Sequence, residues 1–505
     1  MWYLVGLLIS IQITLIFAQS SSLLLLVSLD GFRHDYPKIH GPLKNFRRLE
    51  ERGVHAQNMI PSFVTATFPN HYTMITGLYE DVHGVVSNQM FDPKTNVTFD
   101  SSGNMTNGDW WPHRTIWSIN EKRNGARSGV LGWPQELIRI SKFQPFSRKT
   151  PFRDLIDQVL HWFNDPNEPI NFGSIYFFEP DLTGHKTGPY SQNMTKVVRD
   201  CDEHLGYLLD KIDANENLRK NLHLIVASDH GMEQVNGTDH PLYIEDYIDT
   251  RKAKAYGVPP AMNIFVESKN DIDLVLKNLS KIPHSQSYRK KDIPERYHYK
   301  NSERIGDILL VFEPGYEILR DPRYGGKKYD LSLTHGNHGY DNRHDSMKAI
   351  FYATGPQLKQ NFTLDNSSTL HNVDLFGLMC LLLNIDKCPP SNGSLENIKS
   401  FFIEPSRVAN MNRSLQQTTI DFVIYSIGKT SMDIRVGILV FLLALLGIVL
   451  IAVMAIVWSA ISLRSMFAIR NSSRNNPAKN TQHNQYEFSP INRQNLSSQV
   501  DHAQV

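Results

Sequence analysis

Three short apolar runs, each closing on an acidic residue, constrain this chain more than any other feature. Residues 23–29, 172–178 and 222–227 are almost wholly apolar and rich in β-formers. They read as buried central strands of a sheet covered on both faces. The first closes on Asp30, the second on Glu179-Pro180-Asp181 and the third on Asp229-His230. In open α/β sheets, ligands bind beyond the carboxyl ends of the strands. Three strands therefore deliver metal-type ligands to one edge, a joint pattern that ordinary turn residues do not account for.

Around these runs, apolar strand-like segments alternate with amphipathic ones from about residue 23 to 402. This predicts an α/β domain with a central, mainly parallel sheet flanked by helices. Residues 233–333 are more irregular, carry several Pro and charged residues, and read as an insertion or cap over one end of the sheet. The catalytic domain is expected over 19–403, followed by a polar stalk at 404–435.

Both chain ends add a topology. Residues 1–18 are apolar, too short to span a bilayer and followed by a polar run, as in a cleaved signal peptide. Residues 436–463 carry no charge and are long enough for one transmembrane helix. Arg464, Arg470, Arg474 and Lys479 follow and place the Asn-, Gln- and Ser-rich tail, 464–505, in the cytoplasm as a disordered segment. The expected localisation is the plasma membrane, single-pass and type I, with the catalytic domain extracellular. Nine N-x-S/T sequons (Asn96, Asn104, Asn193, Asn236, Asn278, Asn361, Asn366, Asn392 and Asn412) lie between the two apolar segments and predict N-linked glycans.

Composition excludes two classes. Lys+Arg 52 against Asp+Glu 51 leaves a formal charge of +1, without the basic footprint that long nucleic acid requires. Three cysteines are too few for a disulfide scaffold. Cys380 and Cys388 can close a short loop and leave Cys201 unpaired, or all three can be buried thiols.

The polar residues group by position. Asp181 and His185, four apart, can converge on one cation; Asp229 and His230, with Asp30, suggest a second. A further histidine is needed, and His335-Gly-Asn-His338 offers two candidates. Imidazole with carboxylate suits zinc, and two such ions form a clamp for phosphoryl transfer. Thr67, in Thr67-Phe-Pro69-Asn-His-Tyr ahead of Gly77, falls at a helix start, where the dipole favours a developing alkoxide and an incoming phosphate. It is the candidate nucleophile, to be activated by metal coordination. Spacing alone reads it as an N-cap.

Leu26-Val-Ser-Leu-Asp30-Gly-Phe-Arg, Thr67-Phe-Pro-Asn-His-Tyr, Thr76-Gly-Leu-Tyr-Glu-Asp-Val-His-Gly84, Glu179-Pro-Asp181-Leu-Thr-Gly-His185, Ser228-Asp229-His230-Gly-Met and His338-Gly-Tyr-Asp-Asn resemble the nucleotide pyrophosphatase/phosphodiesterases of the alkaline phosphatase superfamily. The likeness runs from about residue 23 to 394 and is strongest to the short members, types four and five. It implies an alkaline-phosphatase-like fold and two zinc ions, one on Asp181, His185 and His338, the other on Asp30, Thr67, Asp229 and His230. It further implies that Thr67 forms a nucleotidyl-threonine intermediate and that a nucleoside 5′-monophosphate is released. Asn88 matches the family's asparagine that donates to a phosphate oxygen, while Phe68, Trp133, Phe146 and Tyr176 match positions that hold the nucleotide. Two residues depart from the pattern. Ala66 stands where a Lys is usual, and Phe146 where a Tyr is usual. The competing readings are a lipid or choline-phosphate diesterase of the same fold, and a cell-surface adhesion or receptor glycoprotein of weak catalytic power.

Overall fold

The computed structural model describes residues 22–100, 107–134, 140–236, 241–321, 335–364 and 369–406, with 408, 409, 411, 450 and 454 beyond them. The expected signal peptide, almost all of the expected span at 436–463, most of the stalk and the tail lie outside the described residues. So do Asn104, Asn366 and Asn412. Among the described residues, no helix is long and apolar enough to cross a membrane.

One nine-stranded sheet organises the domain. Its strands are β1 (Leu23–Leu29), β2 (Val54–Ile60), β3 (Ser128–Leu131), β4 (Lys142–Gln144), β5 (Phe172–Phe177), β6 (Leu222–Ala227), β7 (Ala349–Thr354), β8 (Phe362–Leu364) and β9 (Leu370–His371). They lie in the order β8-β2-β7-β6-β1-β5-β3-β4, with β9 also paired to β2. The three acid-terminated runs are thus adjacent: β1 pairs in parallel with β5 on one side and β6 on the other.

The sheet is mainly parallel, as expected, and mixed through one strand. β7 runs antiparallel to both β2 and β6, while the remaining pairs are parallel. A parallel partner needs a long crossover that returns to the starting end of the sheet. Here the chain enters β7 straight from the loop after His338, at the edge where the acids sit, so the strand runs back the other way.

Burial explains the unbroken apolar strands. Leu24 and Leu26 of β1 belong to one buried cluster with Ile75, Phe376 and Leu378, which lie on α2 (Thr67–Thr76) and α6 (Asp374–Leu382). Leu23, Leu25, Val27 and Leu29 belong to another, packed on α1 (Lys44–Arg52), α3 (Phe152–Phe163) and α5 (Gln192–Ala214). With helices on both faces, neither side of β1 meets water. The short helix α4 (Asp181–Thr187) starts just beyond β5.

Within the expected insertion, Ala253–Val258, Ala261–Val266, Ile308–Phe312 and Ser285–Arg289 form a separate antiparallel sheet in that order. Its buried cluster includes Tyr340 and Met347, which flank the chain between His338 and β7, so the insertion packs on the site edge. Cys380 and Cys388 form a disulfide, and Cys201 is a buried free thiol.

A buried carboxylate joins two of the helices. Asp202 of α5 accepts the backbone N–H groups of Asn45 and Phe46 at 2.8 and 2.9 Å, the open amides at the start of α1, and also the Asn45 side-chain amide at 3.0 Å. Asp202→Ala strands those donors away from water and should destabilise the domain by about 2–3 kcal/mol. Asp202→Asn, which keeps an acceptor, should lose less. Thermal unfolding of the three chains checks the order; equal midpoints would contradict it.

Candidate active site

Thr67 is set by the local chemistry of α2. Ala66 is its N-cap in extended conformation, Pro69 occupies the first turn and Gly77 ends it at φ +70°. The helix has no side-chain cap, so Thr67 is the first helical residue and its hydroxyl is not used for capping. That disposes of the N-cap reading. Asn70 secures the incoming loop: it accepts Ser62 N–H at 2.8 Å and donates to the carbonyls of Val64 and Ala66 at 2.8 and 2.9 Å.

Thr67 Oγ1 lies 3.4 Å from His230 Nε2. The same nitrogen lies 3.0 Å from Asp229 Oδ2 and 3.5 Å from Asp30 Oδ1. Beside this group, His185 and His338 bring their Nε2 atoms within 3.1 Å of each other and 3.5 Å of the Asp181 carboxylate. All seven metal candidates are therefore gathered in one place. Asp181, His230 and His338 also have ligand atoms within 4.8 Å of one another, so the two groups share a border. Between the histidine candidates, the structure selects His338: His335 turns to Glu317 at 3.0 Å.

Each ring has a fixed orientation. Nδ1 of His185, His230 and His338 lies 3.0, 2.9 and 2.8 Å from the carbonyls of Gly336, Gly231 and Thr65. A carbonyl only accepts, so each Nδ1 carries a hydrogen and each ring turns its Nε2 into the site. Lone pairs of His185 and His338 then face each other, an arrangement that needs a cation or proton between them. The carboxylates point the same way: Asp30 Oδ1, Asp181 Oδ1 and Asp229 Oδ2 are buried without a hydrogen-bond donor. Their other oxygens are partly anchored, Asp229 Oδ1 by Gly31 N–H at 3.1 Å and Asp30 Oδ2 by the Tyr176 hydroxyl.

Electrostatics make the demand explicit. Burial, reinforced by the carboxylates of Asp229 and Asp181, pushes Asp30 well above the ordinary carboxylate range. Burial and the neighbouring His230 and His185 push His338 well below the usual imidazole value, which favours the neutral ring. Burial also opposes charge on His230, but the Asp229 carboxylate outweighs it and draws the ring upward. Asp229 is held well below the ordinary range, burial being overcome by His230 and His71. The pocket is short of positive charge. Donor atoms 3.0–3.5 Å apart match the edge of about 3.3 Å for a tetrahedron with bonds of about 2.0–2.1 Å. The residues present fit metal ions.

A third set, His34, Asp35 and Asp345, also comes within 4.8 Å. Arg33 already holds Asp35 at 2.8 Å and Lys348 holds Asp345 at 3.0 Å, so its charges are balanced.

Asn88 accepts Phe68 N–H at 2.8 Å, which fixes its amide plane and turns the NH₂ group outward. The aromatic expectations fare unevenly. Phe146 is half-buried against Tyr176 and Phe178, at centroid distances of 5.4 and 6.1 Å, and can offer a face. Phe68 is 9% exposed and lies against Phe99 and Trp111, so most of it is core. Trp133 is 0% exposed and packs edge-on to His71, so it backs the site and lines no pocket. Tyr176 is 8% exposed and spends its hydroxyl on Asp30. Sequence similarity transfers a position but not a depth of burial. Reasoning from sequence also missed Ser28 and His71, beneath the site; the one available signal was the four-residue step from Thr67 to His71.

Residues 24–341 match the type I phosphodiesterase / nucleotide pyrophosphatase family, and the chain belongs to that family. The human protein named ectonucleotide pyrophosphatase/phosphodiesterase family member 5 is 37% identical over 383 residues, 74% of this chain and 77% of its own length. A Xenopus laevis bis(5′-adenosyl)-triphosphatase is 36% identical over 389 residues, 75% of this chain and 81% of its own. The solved structure of murine ectonucleotide pyrophosphatase/phosphodiesterase 5, inactive and in complex with AMP, matches at a TM-score of 0.68 and 34% identity, covering 75% of this chain and 100% of that one. The protein is accordingly a hydrolase of the nucleotide pyrophosphatase/phosphodiesterase class, similar to types four and five.

Because cations relieve the repulsion among three clustered carboxylates, metal binding should stabilise the fold strongly. Chelator-treated protein should unfold at a lower temperature and recover on adding zinc. A ligand at a thousand times its Kd contributes about 4 kcal/mol. A midpoint indifferent to chelation would show that the cluster is held together some other way.

Proposed function

We propose that this protein is an extracellular two-zinc phosphodiesterase that cleaves nucleotide phosphodiester or phosphoanhydride bonds with Thr67 as nucleophile. The observation that carries the reading is the approach of Thr67 Oγ1 to His230 Nε2, the nitrogen that also lies against Asp229 and Asp30, at the start of a helix whose side chains leave it uncapped. Asp181, His185 and His338 would hold one zinc, and Asp30, Thr67, Asp229 and His230 the other. Mixed imidazole and carboxylate donors favour zinc over magnesium or calcium, which prefer all-oxygen sites. Bound there, the two ions supply Lewis-acid charge and lower the pKa of the groups they touch.

The chain's own residues do the rest. Thr67 Oγ1 attacks phosphorus in line, a P–O bond to the leaving group breaks, and a nucleotidyl-threonine forms. Water attacks that phosphorus from the vacated side, the Thr67 ester breaks, and a nucleoside 5′-monophosphate leaves. Asn88 turns its NH₂ group to a non-bridging oxygen and stabilises the charge that develops there. Phe146 offers its face to the base, which any base can use. The relative named as a bis(5′-adenosyl)-triphosphatase and the structural neighbour bound to AMP support a nucleotide substrate. The apolar segments at both ends and the sequons support a type I plasma-membrane glycoprotein.

Thr67→Ala should lower turnover of thymidine-5′-monophosphate p-nitrophenyl ester by roughly 10⁴-fold or more, with zinc content staying near two per chain. Normal turnover in Thr67→Ala would sink the nucleophile assignment. Asn88→Ala should lower kcat by about 10²–10³-fold with KM less affected; steady-state kinetics on the same ester read the split. Faster hydrolysis of p-nitrophenyl phosphorylcholine than of the nucleotide ester would move the protein to the lipid-type diesterases.

A further inference from the structure

Beneath the site lies a buried histidine that touches the nucleophile's backbone and one carboxylate, yet no ligand can reach it. His71 is 0% exposed. Its ring stands edge-on to Trp133 and Tyr176, at centroid distances of 5.0 and 5.1 Å. Nδ1 lies 2.8 Å from the Thr67 carbonyl and 3.3 Å from Asp229 Oδ2. Both are pure acceptors, so Nδ1 carries a hydrogen, given to the Thr67 carbonyl and held beside Asp229 Oδ2. Nε2 lies 2.8 Å from Ser28 Oγ, on β1, which is likewise fully buried.

We infer that His71 is a positioning residue that ties Thr67 to Asp229 and so sets the geometry of the cation group Asp30, Thr67, Asp229 and His230. Three features carry this. Asp229 Oδ2, which His71 faces, is the same oxygen that lies 3.0 Å from His230 Nε2, so its direction decides whether the group converges. The far end of the ring is fixed by Ser28, so Nδ1 cannot swing away. Tyr176, packed on the same ring, anchors Asp30 through its hydroxyl, so one floor holds both carboxylates. Partners of this kind fix ligand orientation, and their loss typically weakens metal affinity by about 10–100-fold. The inference rests on the two-zinc, Thr67 reading.

The test uses full-length protein with zinc itself as probe, in competition with a chelator of known affinity, alongside steady-state kinetics. His71→Leu should weaken one of the two zinc equivalents by about 10–100-fold. It should lower kcat by a similar factor and leave KM within about threefold. His71→Asn, whose NH₂ group can stand in for Nδ1–H, should restore zinc affinity to near wild type. Wild-type affinity at both equivalents in His71→Leu overturns the inference, and so does an Asn variant as impaired as the Leu one. If His71→Leu does not fold, Ser28→Ala replaces it. That variant removes one hydroxyl and should weaken the same zinc equivalent several-fold, whereas unchanged affinity and kcat in it overturn the inference. The two readings fail separately: a dead Thr67→Ala with a normal His71→Leu sinks only the positioning role, and an active Thr67→Ala sinks the nucleophile.

Discussion

Like charges gathered in a dry pocket are the constraint on which the rest of this structure depends. Asp229 and Asp30 are 0% and 2% exposed, and Asp181 faces them from the start of α4. Three carboxylates so placed repel one another, and burial removes the water that would screen them. Folding can tolerate this only if every carboxylate is held in place and positive charge is available at the centre. For two of the three the first condition is met by backbone and hydroxyl donors: Gly31 N–H on Asp229 and Tyr176 on Asp30. The close turn at Gly31 serves the same end. It has φ +66°, and a Cβ there would come within 2.8 Å of the Asp181 Cβ, so only glycine lets the end of β1 lie against α4. The second condition is what the converging Nε2 atoms of His185, His230 and His338 provide for.

The walls around this centre are coupled through the strands that carry it. His338 follows the short strand His335–Asn337, which pairs with Glu233–Val235 just after Asp229-His230. Asn337 accepts His338 N–H at 2.9 Å and donates to Glu317 at 2.6 Å, and Glu317 also takes His335. The insertion thereby reaches the metal-type side chains through Glu317, and none of its described residues joins their cluster. On the opposite side the loop Ser62 to Ala66 hands its Thr65 carbonyl to His338 while Asn70 closes it onto α2. Thr67 and the metal-type side chains are thus held by the same hydrogen-bonded frame, and distortion of one displaces the other.

Most of the fold and the gathering of the metal-type side chains were legible because they are written in local patterns. An apolar run on a central strand is continuous since helices cover both faces, and acids at its end mark the edge where ligands gather. Resemblance to a known family separated His338 from His335, which spacing left open. What was not legible depends on partners distant in sequence. The reversal of β7 follows from where the preceding loop emerges, which no residue in β7 encodes. The resemblance implies that Trp133 and Tyr176 hold nucleotide, yet one is wholly buried and the other is committed to Asp30. Asp202 reads as an ordinary helix acid until α1 is seen to start upon it.

The same contrast between position and depth bears on Ala66. A charged residue at that position would place a cation beside the phosphate, but Ala66 is 0% exposed and its neighbour Thr67 alone looks into the site. One amide at the helix N-terminus does not fill the gap, because Phe68 N–H is already given to Asn88 Oδ1. That hydrogen bond turns one potential phosphate donor into the means of aiming another, the Asn88 NH₂ group. On the proposed reading, charge developing on phosphorus is met by few groups: that amide and whatever cations the seven candidates would hold. A site with so little redundancy places its catalytic power in the accuracy of the ligand frame, so buried residues such as Asn70, Ser28 and His71 carry a constraint that their distance from solvent conceals.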